Sequence, residues 1–322
     1  MKYLLICNPH SGTKKNSSAL IKKVCHRIES EGHQVELVET QSEGHGYELA
    51  KAALDTDVDV IVAVGGDGTV NEVAKALVGS NKILGILPNG SGNGLARELC
   101  ISLDPTKAVE SLLDHKVMKM DTCTANDDPF FVTCGIGFDG KVSENFATSE
   151  TRGLPAYVKE VLNVFMKYEA SDFKLLIDGR EVTARALLIA VANASQYGFN
   201  AFIAPDASMV DGLLDVTIIR ELPQTDAPKV VVQLFSKDIT QNEYVRTYRG
   251  KEIILSSNRL LPYHIDGEPK KPTERLKITV VPGSLNVIQG KESDREKNLF
   301  DFFNSITNGF QDIAQGIRKI FS

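Results

Sequence analysis

The sequence lacks the features that mark secreted, nucleic-acid-binding and membrane-spanning proteins. Its five cysteines include no Cys-x-x-Cys pair, which disfavours disulfides or zinc and favours reduced thiols in the cytosol. It has no basic run with interleaved aromatic residues, and the formal net charge of −6 argues against an electrostatic hold on nucleic acid. The apolar run after Lys2 stops at Asn8-Pro9, and no later run reaches membrane-spanning length. We therefore expect a cytoplasmic protein, soluble or peripherally associated with a membrane, with no nucleic-acid partner.

The 322 residues, 42% of them hydrophobic, are enough for two domains. Residues 1–125 alternate short apolar runs with amphipathic segments, which predicts an α/β domain whose parallel sheet is covered on both faces. Residues 126–291 are strand-like with hairpin signals, the clearest at Asp178-Gly179, and predict a mostly antiparallel β-rich domain. Residues 292–322 return to a helical period.

The stretch VIVAVGGDGTVNEVAKAL, residues 60–77, places a glycine turn between an apolar strand and an amphipathic helix. Thr69 and Glu72 have capping-box spacing, so we expect the helix to begin at Thr69. Backbone N–H groups at that point form a ready site for an anion. The segment is not the dinucleotide fingerprint, because Asn71 stands where the third glycine should be.

Two further loops have a similar composition. LPNGSGNGLAREL, residues 87–99, repeats the order of apolar strand, glycine-rich loop and helix, and NPHSGTKKNSS, residues 8–18, follows the first strand with Lys14 and Lys15. Loops on neighbouring parallel strands meet at the carboxyl edge of the sheet, where open α/β sheets bind ligands. Three such loops together suit a triphosphate.

Asp67, inside the first glycine loop, is an acid where phosphate would bind. A carboxylate beside a polyphosphate is repelled unless a divalent cation lies between them, and Mg²⁺ commonly binds one or two carboxylates together with phosphate oxygens and water. Asp67 therefore points to bound MgATP. The alternative is a turn aspartate that caps the helix from Gly68 onward.

Five motifs in this order resemble the diacylglycerol kinase catalytic-domain family, which includes bacterial lipid kinases and sphingosine kinases. They are NPHSG (residues 8–12), GGDGTVNE (65–72), GSGNGLAR (90–97), DGLLDV (211–216) and DGE (266–268). The resemblance runs from Asn8 to about Ile288. NAD kinases and phosphofructokinases share the GGDGT motif, but the ordered set of five separates this family from them.

The resemblance implies an N-terminal domain of phosphofructokinase-like α/β type, a C-terminal β-rich domain and ATP in the cleft between them. It implies nucleotide contacts from Asn8, Thr40, Gly65, Gly66, Asp67, Gly68, Thr69, Val70, Asn71 and Ser91. Asp266 and Glu268 become the candidates for general base, with Asp67 as a further catalytic carboxylate. A structural magnesium is implied at the Asp211 side chain and the backbone carbonyls of Ser208 and Leu213. Read without the resemblance, both Asp-Gly segments are also ordinary hairpin turns.

The implied reaction is transfer of the ATP γ-phosphoryl group to the hydroxyl of a membrane lipid. Diacylglycerol kinases usually carry aspartate where this chain has Gly94, whereas sphingosine kinases have a small residue there. We therefore expect diacylglycerol as the first candidate acceptor and a sphingoid base as the second, with undecaprenol or another lipid alcohol left open. The alternatives to a lipid kinase are a NAD kinase, a non-catalytic nucleotide-binding module and a lipid-transfer protein.

The tail from Leu299 to Ser322 has the pattern of an amphipathic helix. Its apolar residues recur at spacings of three and four, and they are Phe303, Ile306, Phe310, Ile313, Ile317 and Ile320. Such a face can dock on the protein's own body, pair with a second copy in a homodimer, or lie in a membrane interface. Our hypothesis is that this helix helps the enzyme reach a lipid embedded in a bilayer.

Overall fold

A computed structural model describes residues 1–11, 17–90, 92–148, 161, 163–165 and 167–294. Lys14, Lys15, Ser91 and the predicted C-terminal helix from Leu299 lie outside these residues. No helix within the described ranges is both long and apolar enough to cross a membrane.

The first half of the described chain alternates strands and helices, and the second half is mostly strands. The strands are β1 Lys2–Cys7, β2 Gln34–Glu39, β3 Val60–Gly65, β4 Ile83–Pro88, β5 Val117–Ala125, β6 Asp128–Phe130, β7 Thr133–Gly137, β8 Ser171–Ile177, β9 Arg180–Ala192, β10 Leu214–Arg220, β11 Val245–Gly250, β12 Glu252–Ile265 and β13 Glu268–Ile288. The α-helices of the described residues are α1 Ser17–Ser30, α2 His45–Ala52, α3 Asp67–Leu77, α4 Gly94–Glu98, α5 Pro105–Asp114, α6 Phe138–Thr148 and α7 Ala227–Ser236.

The thirteen strands of the described residues are hydrogen-bonded into one continuous sheet. In the first half β1 pairs in parallel with β2 and β3, and β3 pairs in parallel with β4. In the second half β9 pairs in antiparallel fashion with β7, β8 and β10, and β12 pairs likewise with β7, β8 and β13. The long strand β13 connects the halves, because its end pairs in parallel with β4 while its body pairs antiparallel with β5. Thus β5, placed by sequence in residues 1–125, is hydrogen-bonded to a strand of the second half.

The core of the first half is built from strands that are apolar on both faces. All six residues of β3 are buried, and helix α3 packs Val73, Ala74 and Leu77 against the sheet. Leu285 and Val287 from the end of β13 join this core. Each fully buried Val or Leu side chain stabilises the fold by about 1.5–3 kcal/mol. The strand ends that carry the glycine loops are therefore fixed by packing from both halves of the chain.

The predicted start of α3 at Thr69 is wrong. The helix begins at Asp67, directly after Gly66 in extended conformation, and the first turn has no side-chain cap. Glu72 does not close a capping box, since its carboxylate accepts the backbone N–H groups of Gly44 and Gly46, each at 2.9 Å. A tertiary contact with the turn before α2 has replaced the local one that the spacing predicted.

The hairpin predicted at Asp178-Gly179 is confirmed. Both residues have positive φ angles, 48° and 84°, as a type I′ turn requires, and they connect β8 to β9. The Asp178 carboxylate also accepts the backbone N–H groups of Lys251 and Glu252. Asp266-Gly267 is a second turn of this kind, with φ angles of 49° and 83°, and it connects β12 to β13.

Candidate active site

The loops after β1, β3 and β4 meet at one edge of the sheet. The Asn89 N–H donates to the Gly65 carbonyl at 2.7 Å, and the Asn89 side chain donates to the Ser11 carbonyl at 3.1 Å. The two glycine loops touch through their backbones, because a Cβ added at Gly90 would lie 2.6 Å from the Gly66 Cα. Only glycine permits this approach. The described residues of the three loops therefore form one surface.

The loop after β1 contributes Asn8 to that surface. Its side-chain amide donates to the Thr69 hydroxyl at 3.3 Å, and its side-chain oxygen accepts the His10 N–H at 2.9 Å. Thr69 is buried against Gly65, where an added Cβ would lie 2.6 Å from the Thr69 Cβ. Thr40 follows β2, is buried, and donates its backbone N–H to Cys7 at 2.8 Å.

Asp67 joins the first glycine loop to the second. Its side chain is exposed at the start of α3, and its two oxygens accept the N–H groups of Asn93 at 2.9 Å and Gly94 at 2.7 Å. The alternative that Asp67 caps its own helix is wrong, because no side-chain hydrogen bond caps the start of α3. A Cβ at Gly92 would lie 2.7 Å from an Asp67 oxygen, so Gly92 leaves the space that this carboxylate occupies.

Arg97 is a buried cation beneath the second glycine loop. It belongs to the GSGNGLAR motif, but its sequence context did not mark it as a site residue. Its side chain is 7% exposed, its Nε donates to the Gly92 carbonyl at 2.9 Å, and Nη1 has no hydrogen-bond partner among the described residues. Burial lowers the pKa of Arg97 to about 10, against the opposite effect of the Asp67 charge. The signal available in sequence was an arginine in the first turns after a glycine loop.

Gly94 is enclosed by backbone from the second half of the chain. A Cβ added there would lie 2.8 Å from the Tyr197 carbonyl oxygen and 3.7 Å from an Asp67 oxygen. The Tyr197 segment is itself unusual, since Phe199 and Asn200 adopt positive φ angles of 49° and 57°. The aspartate usual in diacylglycerol kinases therefore has no room at position 94 of this chain.

The Asp266 carboxylate holds the DGE turn in place through hydrogen bonds. One carboxylate oxygen accepts the Val132 and Thr133 N–H groups at 2.8 and 3.1 Å, and the other accepts the Phe131 N–H at 2.9 Å. That second oxygen also accepts the Asn71 side-chain amide at 2.8 Å. Burial raises the pKa of Asp266 above its ordinary value, while the three backbone donors act in the opposite direction.

Glu268, two residues further along, is placed differently. Its side chain is 53% exposed and its carboxylate pairs with Lys270 at 2.8 Å. Lys270 also lies 3.3 Å from Asp128. Burial tends to lower the pKa of Lys270, but the hydrogen bond and charge of Glu268, together with Asp128, leave the pKa above its ordinary value. Of the two candidate bases, Glu268 has a carboxylate that a substrate can reach.

The predicted magnesium residues Ser208, Asp211 and Leu213 lie in the turn before β10. One Asp211 oxygen accepts the Leu213 N–H at 3.1 Å, and the other is paired with the Arg249 guanidinium. Within the described ranges no group of three or more His, Cys, Asp and Glu side chains is placed to hold a metal ion. The Arg249 guanidinium, which also pairs with Asp215, thus occupies one Asp211 oxygen, and the magnesium site stays a prediction.

Asp121 also holds the Asp211 turn through hydrogen bonds. The sequence pattern did not single out this residue. Its two oxygens accept the Gly212 and Gly283 N–H groups, each at 2.7 Å. This buried carboxylate therefore ties the Asp211 turn to the bend in β13. Nothing in the sequence marked Asp121, because its partners are 91 and 162 positions away.

Comparisons with known proteins agree with this architecture. Residues 2–125 match the model of the diacylglycerol kinase catalytic domain, and residues 132–289 match that of the YegS C-terminal NAD kinase beta sandwich-like domain. A Pseudomonas aeruginosa protein named "Probable lipid kinase YegS-like" is 30% identical over 80% of this chain and 85% of its own length. A Mycobacterium tuberculosis diacylglycerol kinase is 27% identical over 89% of this chain and 95% of its own. The crystal structure of a Bacillus anthracis diacylglycerol kinase superimposes with a TM-score of 0.70 at 22% identity, covering 90% of this chain and 97% of that one, and shows the shared fold.

The fold and the two matched models define a kinase with an α/β catalytic domain followed by a β-rich domain. This chain belongs to the diacylglycerol kinase catalytic-domain family. At the level of that family it is a lipid kinase.

Proposed function

We propose that this enzyme transfers the γ-phosphoryl group of ATP to the hydroxyl of diacylglycerol, forming phosphatidic acid. The observation that carries the proposal is the hydrogen bond from Asn71 to Asp266, which brings the first glycine loop against the DGE turn. A nucleotide on the glycine loops would thus have its phosphates beside the turn that carries Glu268. Relatives named diacylglycerol kinase support this choice of acceptor.

The nucleotide would enter as MgATP. The exposed Asp67 carboxylate lies in the first glycine loop beside backbone N–H groups of the second, so it fits a cation whose other ligands are phosphate oxygens and water. The partly unsatisfied Arg97 guanidinium places positive charge under the same loop. In phosphoryl transfer such positioning and charge neutralisation account for most of the catalysis.

Glu268 is our choice for the general base. In the proposed step the lipid hydroxyl oxygen bonds to the γ-phosphorus, the bond to the β–γ bridging oxygen breaks, ADP leaves, and the hydroxyl proton passes to Glu268. Asp266 already accepts four hydrogen bonds, so its role is to hold the turn. A positioned base of this kind typically contributes a rate factor of about 10² to 10⁴.

A sphingoid base is the second candidate acceptor, favoured by Gly94 and the backbone packed against it. Either acceptor is a membrane lipid, so we propose peripheral contact with a bilayer, with the C-terminal segment as the contributing element. That segment lies outside the described residues, and its docking, pairing or membrane contact remains a prediction.

The test is a γ-³²P-ATP assay with micellar diacylglycerol, sphingosine and undecaprenol, and with NAD in a lipid-free control. We expect labelled phosphatidic acid from diacylglycerol and no label in NADP. If the label appears only in sphingoid-base phosphate, the acceptor is a sphingoid base and not diacylglycerol. Label only in NADP would replace the lipid kinase by a NAD kinase.

A further inference from the structure

A buried histidine and a buried aspartate lie directly behind the DGE turn, and neither is hydrogen-bonded to the described residues of the glycine loops. His264 is near the end of β12 with its side chain 3% exposed, and Asp139 is in the first turn of α6 with its side chain 7% exposed. The His264 Nε2 and the Asp139 Oδ2 are 3.0 Å apart, but their geometry falls short of a hydrogen bond, and Oδ2 has no hydrogen-bond partner among the described residues. Burying polar groups costs free energy unless they are paired, so this pair calls for a role.

The other ring nitrogen of His264 faces the turn. The Gly267 N–H donates to Nδ1 at 3.1 Å. Gly267 lies between Asp266 and Glu268 and has a φ angle of 83°. Because Nδ1 accepts this hydrogen bond, the neutral ring carries its proton on Nε2, which is the nitrogen that faces Asp139.

The neighbouring strand makes room for the pair. Gly135 on β7 is opposite His264 in the antiparallel register, and a Cβ added there would lie 2.7 Å from the Asp139 Cγ and overlap the His264 Nε2. The Tyr197 ring lies 6.3 Å from the His264 ring, and the Tyr197 carbonyl is the group that encloses Gly94. The pair is therefore packed between the DGE turn and the segment that covers the second glycine loop.

We propose that His264 and Asp139 are positioning residues for phosphoryl transfer. Asp139 orients the imidazole, the imidazole holds the Gly267 N–H, and the fixed turn presents Glu268 to the acceptor. Neither side chain reaches the substrate, since both are buried. The kinetic consequence rests on the proposed function, in which Glu268 is the base. Holding a reacting group in place matters because a misplacement of about 1 Å can cost a factor of about 10² in rate.

Two substitutions at one position separate the two contacts. In His264→Asn the side-chain oxygen takes the place of Nδ1 and keeps the acceptor for Gly267. In His264→Gln the side-chain amide takes the place of Nε2, keeping the donor toward Asp139 and losing the acceptor. We expect His264→Gln to lower kcat by about 10-fold to 100-fold, with an unchanged KM for ATP, and His264→Asn to keep most of the wild-type kcat. Asp139→Ala should resemble His264→Gln, whereas Asp139→Asn, whose side-chain oxygen still accepts, should be mild.

Equal losses of kcat in His264→Asn and His264→Gln, or no loss in either, would overturn the proposal. A loss of kcat that is proportional to the fall in melting temperature across all four variants would also overturn the proposal, because a purely structural role gives that pattern.

A second measurement does not depend on the reaction. A long-range ¹H–¹⁵N spectrum of the histidine rings, with the signal of His264 among the six histidines assigned through His264→Asn, should show the tautomer protonated at Nε2. A tautomer protonated at Nδ1 would contradict the geometry even if the lipid assay succeeds. If wild type phosphorylates no lipid while the Nε2 tautomer is present, the proposed function fails and the assigned contacts stand.

Discussion

The side-chain amide of Asn71 donates a 2.8 Å hydrogen bond to the carboxylate of Asp266, across 195 positions of sequence. Asn71 belongs to the helix that follows the first glycine loop, and Asp266 begins the turn that ends at Glu268. This contact sets the distance between the nucleotide loops and the proposed base, and it leads to the first prediction.

Asn71→Asp should lower kcat/KM by about 10-fold to 100-fold, because it removes a hydrogen bond to a charged group worth about 1.5–3 kcal/mol and adds a like charge. The measurement is steady-state lipid phosphorylation at saturating ATP. Asn81→Asp, at an exposed turn residue, adds the same charge without touching Asp266 and should leave activity unchanged. A normal rate in Asn71→Asp would show that the contact is dispensable.

Glu268→Gln should reduce kcat by about 10² to 10⁴-fold and leave the melting temperature near that of wild type, because an exposed base is lost and little packing changes. The matched control is Glu274→Gln, an exposed residue further along the same strand. If Glu268→Gln retains the wild-type rate, the base lies elsewhere in the site.

Asp266→Asn should lower the melting temperature as well as the rate. The new amide group cannot accept every N–H that now points at the carboxylate, and each buried donor left unsatisfied costs about 1–3 kcal/mol. Four N–H groups point at this carboxylate, three from the backbone and one from the Asn71 side chain. Asp178→Asn, in the exposed turn of the same type, is the control and should unfold close to wild type, because one side-chain oxygen there accepts both backbone N–H groups. Equal melting temperatures for all three proteins would refute the anchoring role.

Gly94→Ala should destabilise the fold by about 1–3 kcal/mol, the usual cost of forcing extra atoms into a packed site. Its Cβ would lie 2.8 Å from a backbone carbonyl, which cannot move aside as a flexible side chain can. Gly68→Ala, in the first turn of α3, is the matched control, since a Cβ there meets nothing within 4 Å. Thermal unfolding of both variants decides the question, and a Gly94→Ala protein as stable as the control would contradict the packing argument.

Arg249→Ala should lower the melting temperature more than Asp211→Ala, because Arg249 also pairs with Asp215 at 3.2 Å. The two effects should not fully add in the double variant, because both variants remove the Asp211–Arg249 ion pair. We expect Mg²⁺ to leave the melting temperature of wild type unchanged, since both Asp211 oxygens already have partners in the Leu213 N–H and the Arg249 guanidinium. A Mg²⁺-dependent rise in wild type and Arg249→Ala, absent from Asp211→Ala, would instead establish the magnesium site that the family resemblance implied.

Local spacing in the sequence was enough to predict most elements of the first half and the Asp178-Gly179 hairpin. An apolar run such as residues 60–64 makes a buried strand wherever it packs, and an Asp-Gly pair adopts positive φ angles from its own stereochemistry. The ordered motifs likewise identified the family, since they are properties of the chain itself.

The roles of the acidic residues were decided only by the tertiary structure. Asp67 binds the second glycine loop, Glu72 binds the turn before α2, and Asp266 binds Asn71 together with three backbone N–H groups. A carboxylate satisfies whichever donors the folded chain brings within about 3 Å, and those donors are set by packing between distant segments. For the same reason the sequence could nominate Asp266 and Glu268 together, while only the fold separated a buried anchor from an exposed carboxylate.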